Sequence, residues 1–325
     1  MIDGKVRASS GSPENPLDPR AECARADASL LRGDLPLGWD QYEARLRVPG
    51  LITPERHFTH PRWDGRPFPG KTLLLHYEQG LGDTLMFVRY APLVKALGGR
   101  VILAAQAGLA DLVATCRGID AVVPKGTAPP PFDCHFPLLS LPWLFHTDLA
   151  SIPAEIPYMS IPEGVPNRQK LAECLARSEG RVRVGLAWQG SAFHPRDGER
   201  SIPPATLAPL ASLPEVAWHG FQREPDLEDP FPGLLNLGPL LSNFSDSAYA
   251  LAAMDLVITV DTALAHLAGA IGIPTLLLLT HHPDWRWLLE RSDSPWYPTL
   301  RLYRQPVAGD WATVIGRVLA DLGSP

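Results

Sequence analysis

Asp261 and Thr262 stand between an apolar β-branched run, Leu256 to Val260, and an Ala-rich stretch, Ala263 to Ile271, suited to pack closely on a sheet. The pair sits where a helix cap belongs. Gly272 ends that helix, and Pro274 opens Thr275 to Leu279 as the next buried parallel strand. A helix starting at the carboxyl end of a parallel strand turns free N–H groups and its positive dipole end into the crevice where ligands of open α/β sheets bind. The guest that suits such a start is a diphosphate. Two plainer roles stand beside it: Asp261 as a cap alone, and His266, one turn in, as a satisfied core histidine.

Two polar loops carry the other reactive groups. Glu78-Gln79-Gly80-Leu81-Gly82-Asp83 follows a strand; Gly80 and Gly82 let backbone approach a ligand, and Asp83 offers a carboxylate free to take a proton. The spacing fits neither a dinucleotide fingerprint nor a P-loop, and on this loop alone helix capping is the favoured role for Asp83. Trp188 to Pro203 is a long loop with Gln189, Gly190, Ser191, His194, Arg196, Arg200 and Ser201. Ordered loops beyond about 12 residues tend to be functional. Its arginines suit a phosphate pair that gains charge as it leaves, unless Asp197 and Glu199 simply neutralise them. In the tail, Asp284, Trp285 and Arg286 are candidates to touch a donor base or sugar, and Trp296 and Tyr297 to stack on a sugar. Packing of Trp287, Leu288 and Trp296 in a C-terminal helix is the alternative.

The elements that must position these groups alternate. Lys71 to Tyr77 reads as a strand, Thr84 to Leu97 as a helix kinked at Pro92, Val101 to Ala105 as a strand, Leu109 to Cys116 as a helix and Ala121 to Val123 as a strand before a Pro-rich loop. A Pro-rich linker with a polar helix, Gln169 to Arg177, leads to strands at Val182 to Trp188, Val216 to Phe221, Leu234 to Leu237, Leu256 to Val260 and Thr275 to Leu279. Asp310 to Leu322 is a closing amphipathic helix. Upstream, Pro19 to Val48 forms a helical hairpin turned at Arg32-Gly33-Asp34, with Ala21, Ala24, Ala28 and Leu31 on one helix face and Trp39, Tyr42 and Leu46 on the other. Met1 to Asn15 has no apolar period, so packed structure is not expected there.

At 325 residues the chain suits more than one domain, and a 45% hydrophobic content is enough for two cores. The expected bounds are 1–66 for the start, hairpin and linker, 67–165 for one α/β domain and 166–325 for the second. A net charge of -6 and the lack of any Lys/Arg run argue against nucleic acid as partner. Cys23, Cys116, Cys134 and Cys174 form no CxxC pair, so neither zinc nor a disulfide scaffold is expected and a reducing cytoplasm fits best. No apolar run approaches the ~20 residues of a membrane span.

Taken together, HYEQGLGDTLMFVRYAPLVKALGG, PPFDCHFPLLSLP, GLAWQGSAFHPRDGERSIP, ITVDTALAHLAGAIGIPT and PDWRWLLERSDSPWYPTLRLYRQ resemble the heptosyltransferase-like, family 9-like glycosyltransferases of the GT-B fold. The hairpin LLRGDLPLGWDQYEARL resembles one tetratricopeptide unit, as in the bacterial branch found behind such repeats. The resemblance implies two Rossmann-like parallel-sheet domains facing across a cleft, and metal-independent, cofactor-free, inverting transfer of a sugar from a nucleotide diphosphate donor to a protein or glycan hydroxyl. It implies Asp83 as general base in an acceptor-side loop with Gln79, Gly80 and Gly82. It places the donor diphosphate on Asp261, Thr262 and His266. With the loop and tail residues read above, the candidate donor contacts are Gln189, Gly190, Ser191, His194, Ser201, Gln222, Asp261, Thr262, Ala263, His266, Asp284 and Trp285, with Arg200 against the leaving diphosphate. Two positions depart from the family pattern. Ala263 stands where the family has Gly, and Arg200, or else Arg196, stands in for a phosphate-binding lysine. These departures keep open a non-catalytic nucleotide- or partner-binding scaffold, and the double-domain architecture is also one that a nucleotide-sugar epimerase can share.

Overall fold

The structure, a computed structural model, describes residues 18–52, 58–223 and 228–323. The expectation for Met1 to Asn15 lies outside the described residues. The chain divides between Pro153 and Ala154 into two compact units, so the hairpin belongs to the first unit and the division falls before the expected 165/166 boundary.

The first unit opens with helices α1 (Pro19–Leu31) and α2 (Leu35–Tyr42), followed by a 3-10 turn, Glu43–Arg47. Asp18 and Asp34 cap the two helices, and Gly33 turns the chain at φ 84°. Gly38 lets the helices close, since a Cβ there would lie 2.4 Å from Leu30 Cδ2. The inner face of α1 is Ala26, Ser29 and Leu30, while Ala21 and Ala24 are exposed. This corrects the expected face: alanines are small enough for either side, and Leu30 decides the rotation.

Then come β1 (Thr72–His76), α3 (Leu81–Phe87), α4 (Ala91–Ala96), β2 (Arg100–Ala105), α5 (Ala110–Val113), β3 (Ala121–Pro124), β4 (Cys134–Pro137) and α6 (Leu141–Leu144). The four strands are parallel in the order β3-β2-β1-β4. The helix expected from Thr84 to Leu97 starts at Leu81 and is interrupted by a 3-10 turn, Val88–Tyr90, ahead of Pro92, whose ring cannot continue the hydrogen-bond ladder. Strand β4 follows the Pro-rich loop and was not expected. It lies on the sheet edge, where Pro137 does no harm.

The second unit contains α7 (Arg168–Ala176), β5 (Val182–Ala187), α8 (Asp197–Arg200), β6 (Val216–Gly220), β7 (Leu235–Asn236), α9 (Phe244–Leu251), β8 (Leu256–Val260), α10 (Ala263–Ile271), β9 (Thr275–Leu279), β10 (Leu300–Arg304) and α11 (Trp311–Leu322). Its six strands are all parallel in the order β10-β9-β8-β5-β6-β7. This is the order of dinucleotide-binding sheets, with the direction of winding reversed between β5 and β8. Helix α11 matches expectation: Asp310 caps it by accepting from Thr313 N at 3.0 Å, and Trp311, Val314, Ile315 and Val318 are buried.

The tail differs from the helix considered for it. Trp285–Trp287 forms one 3-10 turn, Leu288 stops it with φ 54°, and Leu300 to Arg304 pairs with β9. Trp287 and Trp296 are buried, as the packing role required, but not in a helix.

Candidate active site

Strands β5 and β8 are neighbours whose connections leave toward opposite sides of the sheet, so their carboxyl ends part and leave a crevice. The loop after β5 and the Asp261-Thr262 turn after β8 form its walls. Arg200, at the end of α8, bridges them: its Nη1 donates to the Asp261 carbonyl at 2.9 Å and its Nε to Asp197 Oδ1 at 3.1 Å. The guanidinium lies so close over Gly190 that a Cβ there would meet Nη2 at 2.3 Å. Gly190 N donates to Ser201 Oγ at 3.4 Å. The buried Gln222 clasps the Gln189 peptide, accepting from its N–H and donating to its carbonyl, both at 3.2 Å. Gln222 therefore acts on the loop backbone.

The two arginines of this loop separate cleanly. Arg196 is committed to Glu199 at 2.7 Å and to the His282 carbonyl at 2.6 Å, which leaves Arg200 as this loop's cation at Asp261. The charge-balancing pairs anticipated for Asp197 and Glu199 both form, and Arg200 reaches Asp261 while making its own. Ser191 shapes a turn, its carbonyl accepting from His194 N at 2.9 Å. His194 lies in the same electrostatic neighbourhood: burial and Arg200 push its ring below the ordinary histidine range, while Asp197 and Asp284 pull the other way.

At the start of α10 the cap is Thr262, whose Oγ1 accepts from Leu264 N at 3.3 Å. Asp261 is thus outside the helix, and Ala263 takes its first position. The first-turn N–H groups point out of the helix end toward the crevice. His266 shows the packed-histidine arrangement: it is 5% exposed, its Nδ1 is 2.9 Å from Tyr297 Oη, and its ring stacks on Trp287 at 5.3 Å. Gly269 makes room, since a Cβ there would lie 2.3 Å from Tyr297 Cδ1. Asp284 caps the following 3-10 turn, and its Oδ1 accepts from Arg286 Nη1 at 2.8 Å. Trp285 is buried beneath the Arg286 guanidinium, 4.2 Å from its ring centroid. The Trp287 and Tyr297 clamp on His266 was not foreseen. Aromatic residues at positions 287 and 297 were the available signal.

Burial, and then the neighbouring Asp284, push the Asp261 carboxyl up to about 6, against the pull of Trp287, Arg286 and Arg200. Because this value is raised above the unfolded one, ionising Asp261 costs the folded unit stability as pH rises through it. A diphosphate placed at this turn would raise it further, so if the crevice takes an intact sugar diphosphate, its affinity should climb as pH falls from about 8 toward 6, then level. Calorimetric titration across that range checks this. Asp261→Asn should flatten the curve, and a wild-type affinity that weakens on acidification would contradict the assignment.

In the first unit, Gly80 precedes α3, and its N–H donates to Asp83 Oδ2 at 2.8 Å. Asp83 is therefore tethered at the helix start rather than free, and Gly80 and Gly82 lie beside it in the same turn. Gln106, at the end of β2, was not foreseen. Its Nε2 donates to the carbonyls of Gln79 at 3.1 Å and Gly80 at 3.2 Å, and its Oε1 accepts from Thr84 Oγ1 at 2.9 Å. Among the described residues no group of three or more His, Cys, Asp or Glu is placed to hold a metal, and no helix is long and apolar enough to cross a membrane.

The stretch that carries Asp261, Thr262, His266 and Asp284 is similar to a known family. Residues 235–299 match the glycosyltransferase family 9 (heptosyltransferase) model. Protein FlbA of Caulobacter vibrioides is 28% identical over 343 residues, covering 97% of this chain and 56% of FlbA. The chain thus spans about half the length of that curated relative. The glycosyl transferase family 9 structure from Veillonella parvula aligns with a TM-score of 0.57 at 12% identity, over 78% of this chain and 96% of that one. Heptosyltransferase II of E. coli, described as an ADP-heptose lps heptosyltransferase, aligns with a TM-score of 0.53 at 15% identity, over 77% and 97%. The fold is that of these GT-B structures, a mixed α/β chain with two parallel sheets. The family 9 segment and this fold together support a glycosyltransferase.

Proposed function

We propose that the chain moves a sugar from a nucleotide diphosphate sugar to a hydroxyl of a protein or glycan, with inversion and without a metal ion. The observation that carries this reading is the Arg200 bridge to Asp261 at the switch point, beside the capped start of α10, with Asp261 and α10 inside the segment that matches family 9. A cation and a helix N-terminus meet there, the combination that suits a diphosphate.

In the proposed reaction Asp83 takes the proton of the acceptor hydroxyl as its oxygen bonds to the anomeric carbon. The bond from that carbon to the diphosphate oxygen breaks, and its electron pair leaves with the diphosphate. Arg200 and the first-turn N–H groups of α10 stabilise the charge that develops. One displacement inverts the anomeric centre. ADP-heptose is the first donor to try, because the E. coli relative is named for it. The reading also takes the protein to act in the cytoplasm.

The test supplies purified protein with ADP-, GDP- and UDP-sugars and candidate acceptors, and follows nucleoside diphosphate release. One donor class should be consumed in an acceptor-dependent manner. Binding of a nucleotide without release from any donor would instead indicate a scaffold that has lost catalysis.

A further inference from the structure

The switch point of the first sheet lies between β1 and β4, where an open α/β sheet would ordinarily receive a ligand. Here a side chain of the N-terminal hairpin occupies it. Arg45, in the turn after α2, and Glu78, just beyond β1, are both 0% exposed at their side chains. Arg45 Nη2 donates to Glu78 Oε1 at 3.0 Å, to Glu78 Oε2 at 3.1 Å and to Ser140 Oγ at 2.7 Å. Its Nη1 donates to Glu43 Oε1 at 2.8 Å and to the Tyr42 carbonyl at 3.2 Å. Glu78 Oε2 also accepts from Leu139 N at 3.0 Å, so the carboxylate ties the loop after β1 to the loop after β4. Glu43 completes the array, accepting from Ser140 Oγ at 2.6 Å and from Arg62 Nη2 at 2.6 Å. Burial works against the Arg45 charge, but Glu78 and Glu43 overcome it and hold the guanidinium protonated.

The parallel with the second unit is close. Each switch point is bridged by an arginine paired with a carboxylate of its own chain, but the Arg200 side chain is 16% exposed whereas Arg45 and Glu78 are fully buried. A protein anion, Glu78, stands where a ligand anion would go. Next come Gln79 and Gly80 and then Leu81, Gly82 and Asp83 in the first turn of α3, a turn whose two glycines give it little stiffness of its own. Its backbone is held on one side by Gln106 and is continuous on the other with Glu78.

We infer that Arg45 is a positioning residue for the Asp83 loop: the hairpin plugs the first sheet's crevice and, through Glu78, fixes the turn that presents Asp83. The catalytic consequence rests on the reading of Asp83 given above, while the positioning itself does not.

The test uses the full chain with Arg45→Met/Glu78→Gln, which leaves neither partner as an unpaired buried charge and so should stay folded where Arg45→Met alone would not. Hydrogen exchange by mass spectrometry should show about 10-fold or faster exchange across Gln79 to Thr84 in the double variant. Turnover should fall by about 10-fold or more with nucleotide binding in the second unit unchanged, as expected for misplacement of a reacting group. Glu78→Gln alone keeps an acceptor for Arg45 and should give a smaller rise in the same peptide. Faster exchange confined to residues 19–48, with Gln79 to Thr84 unchanged in both variants, would overturn the inference. Because exchange is read without substrate, a wild type that transfers no sugar would defeat the proposed reaction and leave this result standing.

Discussion

Asp83→Asn should lower kcat for sugar transfer by about 10²–10⁴-fold, the usual worth of a positioned general base, and leave nucleotide binding intact. The substitution separates the capping contact of Asp83 from the base role proposed for it. Asp83 Oδ2 accepts the Gly80 N–H, a contact an asparagine amide oxygen can reproduce, so the start of α3 keeps its cap. What the amide cannot do is take the acceptor's proton. Steady-state kinetics together with calorimetry of nucleotide binding make the measurement. If binding is lost with turnover, Asp83 serves the loop and not the chemistry. Asp83→Ala is the complementary control: it removes cap and base together and should also cost about 0.5–2 kcal/mol of stability.

Arg200→Ala should lower kcat/KM by about 10²–10³-fold, the scale seen when one donor to a developing negative charge is removed. The guanidinium carries the one cationic bridge described between the loops after β5 and β8, and its loss also leaves the buried Asp197 without its partner. Gly190→Ala should produce the same defect without touching Arg200, because the new methyl would fall within 2.3 Å of the guanidinium. Arg200→Lys should recover part of the loss, since an ammonium supplies charge but not the two-directional fork. Arg196→Ala, which removes an exposed pair with Glu199 and a bond to the His282 carbonyl, should cost little. A larger defect in Arg196→Ala than in Arg200→Ala would move the proposed phosphate contact from Arg200 to Arg196.

Much of this site was legible in the sequence because its signals are local. Strands β8 and β9 and helix α10 fall at Leu256–Val260, Thr275–Leu279 and Ala263–Ile271 as expected, since Thr262 and Gly272 mark both helix ends chemically. Helix α11 was readable for the same reason, an Asp cap ahead of an apolar stripe. Strand β4 was hidden by the prolines around it, and β10 by a tail whose aromatic residues suggested a helix. Arg196 and Arg200 look alike in sequence, and only the fold shows which one reaches Asp261. The Arg45–Glu78 pair joins residues 33 positions apart and leaves no periodic or motif trace. Gln106 escaped similarly, as one polar residue after a strand. Capping and periodicity are written within a few residues, whereas the partners of a buried charge are chosen by topology.

The central claim is that the second unit holds a nucleoside diphosphate between Arg200 and the start of α10. Thermal unfolding of the wild type, Thr262→Ala and Arg200→Ala with ADP, GDP and UDP tests it most directly, because a ligand at about 100 times its Kd adds about 2.7 kcal/mol of stability. The account predicts a rise in Tm with one of these nucleotides that shrinks in both variants. No rise with any of them, or a rise of equal size in all three proteins, would contradict it.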